Sequence, residues 1–435
     1  MQQLQQAIAD ARSRFASLNP KSQAADKSAE RYMPGGNTRA VLHYDPFPLT
    51  MATGEGAELT DLDGHRYVDF VGEFSAGLFG HSDEIIKAAI IDAVGKGIVM
   101  GSPTLYEREL AGLICERFES IDQLRFCNSG TEANLLALAT ARSLTGRNKI
   151  LVFHESYHGG VLKFPAGGSP LNVPFDFVLA DYNDIDSTAE VFDRCGSELA
   201  AVVVEPILGA GGNIAADKDF LVMLRQLATK HGALLIFDEI KTARLGPAGV
   251  QGMMGIEPDL TTLGKFIAGG LPTGAFGGRA VTMAPFNPKL GGKLAHAGTF
   301  NNNVCSMAAG CAAMSEIYTP QCATEFFDRS EAFRQSLNEL FAAKAVPMHA
   351  NGMGSMIAIH FSSTPTKKPG DISVGCRSLR PLLHMEMLLE GVLVCGRGDM
   401  FLSLPMDETH FSKGRLALES FIDRHSSLVE QVLQA

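Results

Sequence analysis

An acid and a lysine in the middle of the chain have the makings of a reaction centre. Asp238 follows the apolar run Ala233-Leu234-Leu235-Ile236-Phe237, and Lys265 follows Thr261-Thr262-Leu263-Gly264. An apolar run bounded by charge reads as a strand buried on both faces. Open α/β sheets gather ligand groups at the carboxyl ends of such strands. A lysine among apolar and glycine residues is a candidate for a lowered pKa, because burial disfavours its charged form. An acid and a lysine on neighbouring strand ends are what pyridoxal phosphate chemistry requires. The lysine holds the cofactor covalently, and the acid keeps the pyridine nitrogen protonated so that the ring can take up electrons.

Other stretches offer groups for the same purpose, each with a plainer reading beside it. Asn128-Ser129-Gly130-Thr131-Glu132 opens a helix and can cradle an anion with backbone N–H groups and hydroxyls. The plainer reading is an N-cap by Ser129 or Thr131. Tyr157, in a glycine-rich loop after an apolar run, can stack on a flat ring or simply pack. Arg39, after the breaker Pro34-Gly35-Gly36-Asn37, is a surface residue or an anion ligand. His81 is structural or lies near the site, and the remaining histidines and the cysteines read as structural.

Lys149–Phe153 reads as a buried strand and 175–179 and 200–204 as further strands, with helices over 135–144 and 217–231. This alternation implies an α/β fold with a mostly parallel sheet covered by helices. Residues 1–32 and 83–118 carry helical spacing, 58–70 reads as a hairpin turning at Asp63-Gly64, and helices are expected over 304–317, 326–344, 376–390 and 411–433. The expected division is an N-terminal segment 1–70, a large domain 71–318 and a C-terminal domain 319–435.

The 435 residues are 46% hydrophobic and 20% charged, ordinary for a globular chain, and too many for one small core. A net charge of −11 leaves no basic footprint for nucleic acid. No apolar stretch reaches membrane-spanning length, and the first residues lack a signal-peptide pattern. The eight cysteines form no CxxC pair, so no metal centre is read and reduced thiols in a cytoplasmic enzyme are expected.

Taken together, Asn128-Ser129-Gly130-Thr131-Glu132-Ala133, Tyr157-His158-Gly159, Glu205-Pro206, Asp238-Glu239, Leu263-Gly264-Lys265 and Gly298-Thr299-Phe300 resemble the class III aminotransferases. The likeness extends from Tyr32 into the C-terminal domain and is nearest to the glutamate-1-semialdehyde aminomutase-like branch. It implies the type I pyridoxal phosphate fold, with a smaller α+β domain built from the N- and C-terminal segments. Lys265 would carry the cofactor and move the proton, and Asp238 would partner the ring nitrogen. Ser129, Gly130 and Thr131 would cradle the phosphate, Tyr157 and Ile240 would cover the two ring faces, and Glu205 would lie near the ring hydroxyl. Thr299 would reach the phosphate of a neighbouring subunit's cofactor, which implies a homodimer with shared sites.

Within the branch, Asp238-Glu239-Ile240-Lys241-Thr242-Ala243-Arg244 lacks the Gly-Phe-Arg portion of the aminomutase pattern. The run Arg39 to Leu49 is closer to aminotransferases acting on aromatic β-amino acids, such as β-phenylalanine. By that resemblance Arg39 binds the donor's carboxylate and Arg397, in Cys395-Gly396-Arg397-Gly398, that of the keto acid. Asp399 departs from that group, where the position is apolar. The implied activity is ping-pong transamination from a β- or ω-amino acid to a keto acid such as 2-oxoglutarate or pyruvate. An aminomutase and a catalytically inactive binding protein are the alternatives.

Overall fold

Apolar residues on both sides of the central strands determine the layering of the larger unit. Ile150, Val152, Ala201, Val203 and Ile236 pack in one cluster, while Leu151, Phe153, Val202, Val204, Leu235 and Phe237 pack in another. Side chains alternate faces along a strand, so each strand feeds two cores and is apolar throughout. The computed structural model describes residues 1–434 and divides the chain into two compact units. The larger comprises Glu84–Arg329 with Lys367–Pro369, the other Met1–Asp83, Ser330–Thr366 and Gly370–Ala435.

The larger unit holds a seven-stranded sheet. Across it run Gln123–Cys127, Gly274–Gly278, Leu260–Gly264, Leu234–Asp238, Leu199–Val204, Lys149–Phe153 and Asp176–Ala180. All neighbours pair in parallel except Gly274–Gly278, which is antiparallel to both of its own. Its glycine-rich sequence gives no strand signal, since glycine has little β-propensity. Close packing selects it: a Cβ on Gly274 would lie 2.2 Å from the Ser129 carbonyl oxygen, and one on Gly277 2.7 Å from Ile121.

The helices follow the expected spacing with local differences. Residues 83–118 form two helices, Glu84–Lys96 and Leu105–Arg117. The expected helix over 304–317 is α-helical through Val304–Ala312 and widens to a π-turn over Ala313–Ile317. Gly130–Thr145 and Lys218–His231 each end on a left-handed glycine, Gly146 and Gly232.

The smaller unit carries helices Gln2–Leu18 and Pro20–Ala29 and the expected hairpin, Glu58–Asp61 with Arg66–Asp69. Val392–Leu393 adds in parallel beside Arg66–Asp69. A second sheet joins His349–Met353, Met356–His360 and Asp399–Phe401, and helices Val374–Leu389 and Glu408–Gln434 pack on each other and on Val392–Leu393 of the first sheet. Among the described residues, no helix is long and apolar enough to cross a membrane, and no group of three or more His, Cys, Asp or Glu side chains could hold a metal ion.

Candidate active site

Strand pairing brings the opening pair of residues together. Asp238 ends its strand directly opposite Thr262 on the neighbouring parallel strand, and Lys265 follows that strand's last residue, Gly264. Both line one cavity, with Gly130, Thr131, Tyr157, His158, Gly159, Glu205, Ile240 and Lys241 around them. Lys265 has φ of 56°, a left-handed conformation uncommon for a non-glycine residue and frequent at functional positions.

Asp238 is buried, and three donors converge on it. His158 Nδ1 lies 2.7 Å and Asn134 Nδ2 2.8 Å from Oδ2, while the Ile240 N–H donates to Oδ1 at 3.1 Å. Asn134 is fixed in turn by the Thr262 hydroxyl, which donates to its Oδ1 at 2.8 Å. Burial lowers the His158 pKa, but the hydrogen bond and charge of Asp238 outweigh it and leave the pKa raised. Glu205, also buried, accepts the Tyr157 N–H at 2.9 Å and the Gly209 N–H at 3.2 Å. Burial holds its pKa above the usual carboxylate range. At Lys265, burial and then the positive charge of Lys241 lower the pKa to about 8, against the opposing pull of Asp238 and Glu205. The lysine thus has a neutral, nucleophilic amine within reach of ordinary pH.

The anion cradle and the N-cap prove to be one structure. The Ser129 hydroxyl oxygen accepts the Glu132 N–H at 3.2 Å, and Glu132 Oε2 accepts the Asn128 N–H at 2.9 Å. This cap leaves the first two amides of the helix, Gly130 and Thr131, without an intrahelical partner at the cavity that both residues line. Glycines keep that face open. A Cβ on Gly130 would lie 2.5 Å from Ile240 Cδ1, and one on Gly159, at φ 136°, would lie 2.5 Å from Thr131 Oγ1. An amide-lined helix start without side-chain cations, two apolar or aromatic walls in Tyr157 and Ile240, a buried acid and a low-pKa lysine fit a flat, phosphorylated aldehyde cofactor.

Thr299 is exposed and is not part of this cavity. Arg39 and Arg397 both lie in the smaller unit. Arg39 Nη1 meets Glu73 Oε1 at 2.6 Å, with the two side chains 44% and 58% exposed, an ion pair open enough for another carboxylate to displace. Glu73, Phe74 and Ser75 all have positive φ, at 47°, 55° and 81°. Three consecutive strained residues mark this turn as over-determined by its surroundings. Arg39 lines a cavity of about 720 Å³ with Met33, Val41, Phe74, His81 and Val394. His81 is held by Asp69, Nε2 to Oδ2 at 3.0 Å. Arg397 donates from Nε and Nη2 to Oδ2 of the buried Asp399, at 3.2 and 2.9 Å.

Sequence reasoning misses two residues of the cavity, His158 and Lys241, and one behind it, Asn134. His158 lies in Tyr157-His158-Gly159, but a histidine beside a strand end is more often structural. Asn134 stands four positions after Gly130 on the same helix face, a spacing that could have pointed to it. Lys241 had no signal other than its place near Asp238.

The family model for aminotransferase class-III matches residues 41–407. A β-phenylalanine transaminase of Variovorax paradoxus is 49% identical over 98% of this chain and 98% of its own. A crystal structure of a β-phenylalanine aminotransferase from that organism superposes with a TM-score of 0.96 over 98% of this chain and 99% of the other. A transaminase solved with PLP bound, 31% identical, gives 0.85 over 96% and 98%. A glutamate-1-semialdehyde 2,1-aminomutase of Geobacillus thermodenitrificans is 37% identical over 86% of this chain and 91% of its own. With the type I fold and a site that fits the cofactor, the chain belongs to the class III aminotransferases and is a pyridoxal phosphate-dependent transaminase.

Proposed function

We propose that Lys265 carries the cofactor, that Asp238 partners its ring nitrogen, and that Ser129, Gly130 and Thr131 hold its phosphate. Tyr157 and Ile240 cover the ring faces, and Glu205 stands near the ring hydroxyl. When bound, the cofactor supplies an electron sink for charge developing on the substrate carbon. Lys265 Nζ takes the proton from that carbon and returns it, a role that suits an amine with a pKa of about 8. Asp238, held by His158 and Asn134, keeps a fixed negative charge against the ring nitrogen. The observation that carries this reading is the shared cavity of Lys265, Asp238 and the open helix start.

The donor is a β- or ω-amino acid, with an aromatic β-amino acid the leading candidate, and the acceptor a keto acid such as 2-oxoglutarate or pyruvate, in a ping-pong cycle. Arg39 supports this: it sets a displaceable guanidinium on the wall of a largely apolar cavity, suited to a carboxylate attached to an apolar body. The name of the Variovorax relative points the same way. Arg397 takes the keto acid's carboxylate, which must share the guanidinium with Asp399.

The working form is a cytoplasmic homodimer, with Thr299 reaching the cofactor phosphate of the partner. Exposed apolar side chains beside Thr299 support that surface: Phe300 is 62%, Val99 84% and Leu105 76% exposed. The Asn302 amide ties the two stretches together by donating to Glu107 at 3.2 Å. All eight cysteines are free thiols, in keeping with a reducing compartment.

A panel of α-, β- and ω-amino acids, each added alone to the yellow holoenzyme, tests the donor class. Bleaching is expected fastest with aromatic β-amino acids; bleaching confined to α-amino acids contradicts the assignment. Turnover without any keto acid would instead indicate an aminomutase.

A further inference from the structure

The cofactor cavity contains a second lysine with no role in the account above. Lys241 lines the same cavity as Lys265. Its ammonium packs over Gly209, where a Cβ would lie 2.6 Å from Nζ, and the Gly209 N–H is itself bonded to Glu205 Oε1 at 3.2 Å. The cation therefore rests on the loop that binds the buried acid.

The charges in the cavity can be paired off. Two carboxylates face it, Asp238 and Glu205. Asp238 is matched by His158 at 2.7 Å, whose proton it stabilises. Glu205 has two backbone N–H groups, and the cations that favour its charged form are first His158, already hydrogen-bonded to Asp238, and then Lys241, against the burial that favours its protonation. Lys241 and Lys265 are the two amines lining the cavity. Arg244 adds a further buried positive charge behind them.

We propose that Lys241 is a positioning residue, the counter-cation of Glu205, and that by filling this place it keeps the Lys265 nitrogen from taking a proton. This rests on Lys265 being the point of cofactor attachment and adds the group that sets its protonation. The influences at Lys265 agree: after burial, Lys241 acts most strongly and against the proton, Asp238 and Glu205 act for it, and Arg244 again acts against it. Without Lys241, Glu205 would turn to Lys265 for its positive partner.

The test is a pH titration of the visible absorbance of full-length holoenzyme, which follows protonation of the lysine nitrogen bound to the cofactor, independently of turnover. Lys241→Met should raise the midpoint by about one pH unit, a ten-fold rise in proton affinity. Lys241→Arg, which keeps the cation, should leave it within a few tenths of a unit. The double variant Glu205→Gln with Lys241→Met should return the midpoint towards the unaltered protein, since the acid needing a partner is gone. If Lys241→Met folds poorly, Lys241→Gln in the same series gives the same comparison. An unchanged or lowered midpoint in either neutral variant overturns the proposal. Lys265→Ala separates the two levels. A pH-dependent attached band surviving that change refutes the attachment site itself. Loss of the band there, with no shift in the neutral Lys241 variants, refutes only the role of Lys241.

Discussion

Replacing Asp238 by asparagine isolates charge from shape at the acid that faces the cofactor. Oδ2 accepts from His158 and Asn134, and Oδ1 from the Ile240 N–H, so the single oxygen of asparagine is best placed at Oδ2. Its amino group then meets the Ile240 N–H, two donors in a buried site, at a cost of about 1–3 kcal/mol. The imidazole of His158, whose proton depends on Asp238, loses its charged partner as well. For the reaction, loss of a preorganised charge opposite the ring nitrogen should lower kcat by about 10²–10³. Because this interaction strengthens as the ring takes up electrons, kcat and kcat/KM should fall together. The assay is rapid mixing of loaded holoenzyme with saturating donor, following the bleach, with cofactor content and melting temperature measured on the same sample. A variant that stays loaded and loses less than ten-fold in rate would refute the assignment of Asp238 to the ring nitrogen.

Further substitutions probe the arginines and the cradle. Arg39→Ala should raise the donor KM by about ten-fold or more, since a charge-assisted hydrogen bond contributes about 1.5–3 kcal/mol. The acceptor half-reaction, measured from the amino form of the cofactor, should be little changed, and equal effects on both halves argue against Arg39 as a donor ligand. Asp399→Asn removes the charge that holds Arg397 and should lower the acceptor KM several-fold, while an unchanged or raised KM means that Asp399 does not compete with the substrate. Gly274→Ala puts a Cβ 2.2 Å from the Ser129 carbonyl oxygen and should destabilise the fold by about 1–3 kcal/mol, with faster cofactor loss. Thermal melts and gel filtration of the holoenzyme measure both, and an unchanged melt shows that the turn can shift.

The sequence carried the layered sheet well, because a strand buried on both faces has nowhere to put a polar residue. Leu199–Val204 and Leu234–Asp238 were legible for that reason. Gly274–Gly278 was not, since its residues are selected by contacts from Ser129 and Ile121, far away in the chain. The same division holds in the cavity. Lys265, Asp238 and the Ser129 turn sit at strand ends and at a helix start, places that local pattern reveals. The partners that tune them, His158 on Asp238 and Lys241 above the Glu205 loop, meet only through the fold. Ion pairs such as Arg39–Glu73 join residues by the path of the chain, which local spacing does not encode.

The central claim is that one lysine, Lys265, holds the cofactor, although Lys241 shares its cavity. Borohydride reduction of the yellow holoenzyme fixes the cofactor to its lysine, and peptide mass analysis then locates it. The account predicts the added mass on the peptide containing Lys265 and none on Lys241. Label on Lys241, or no covalent label with the colour retained, would contradict it.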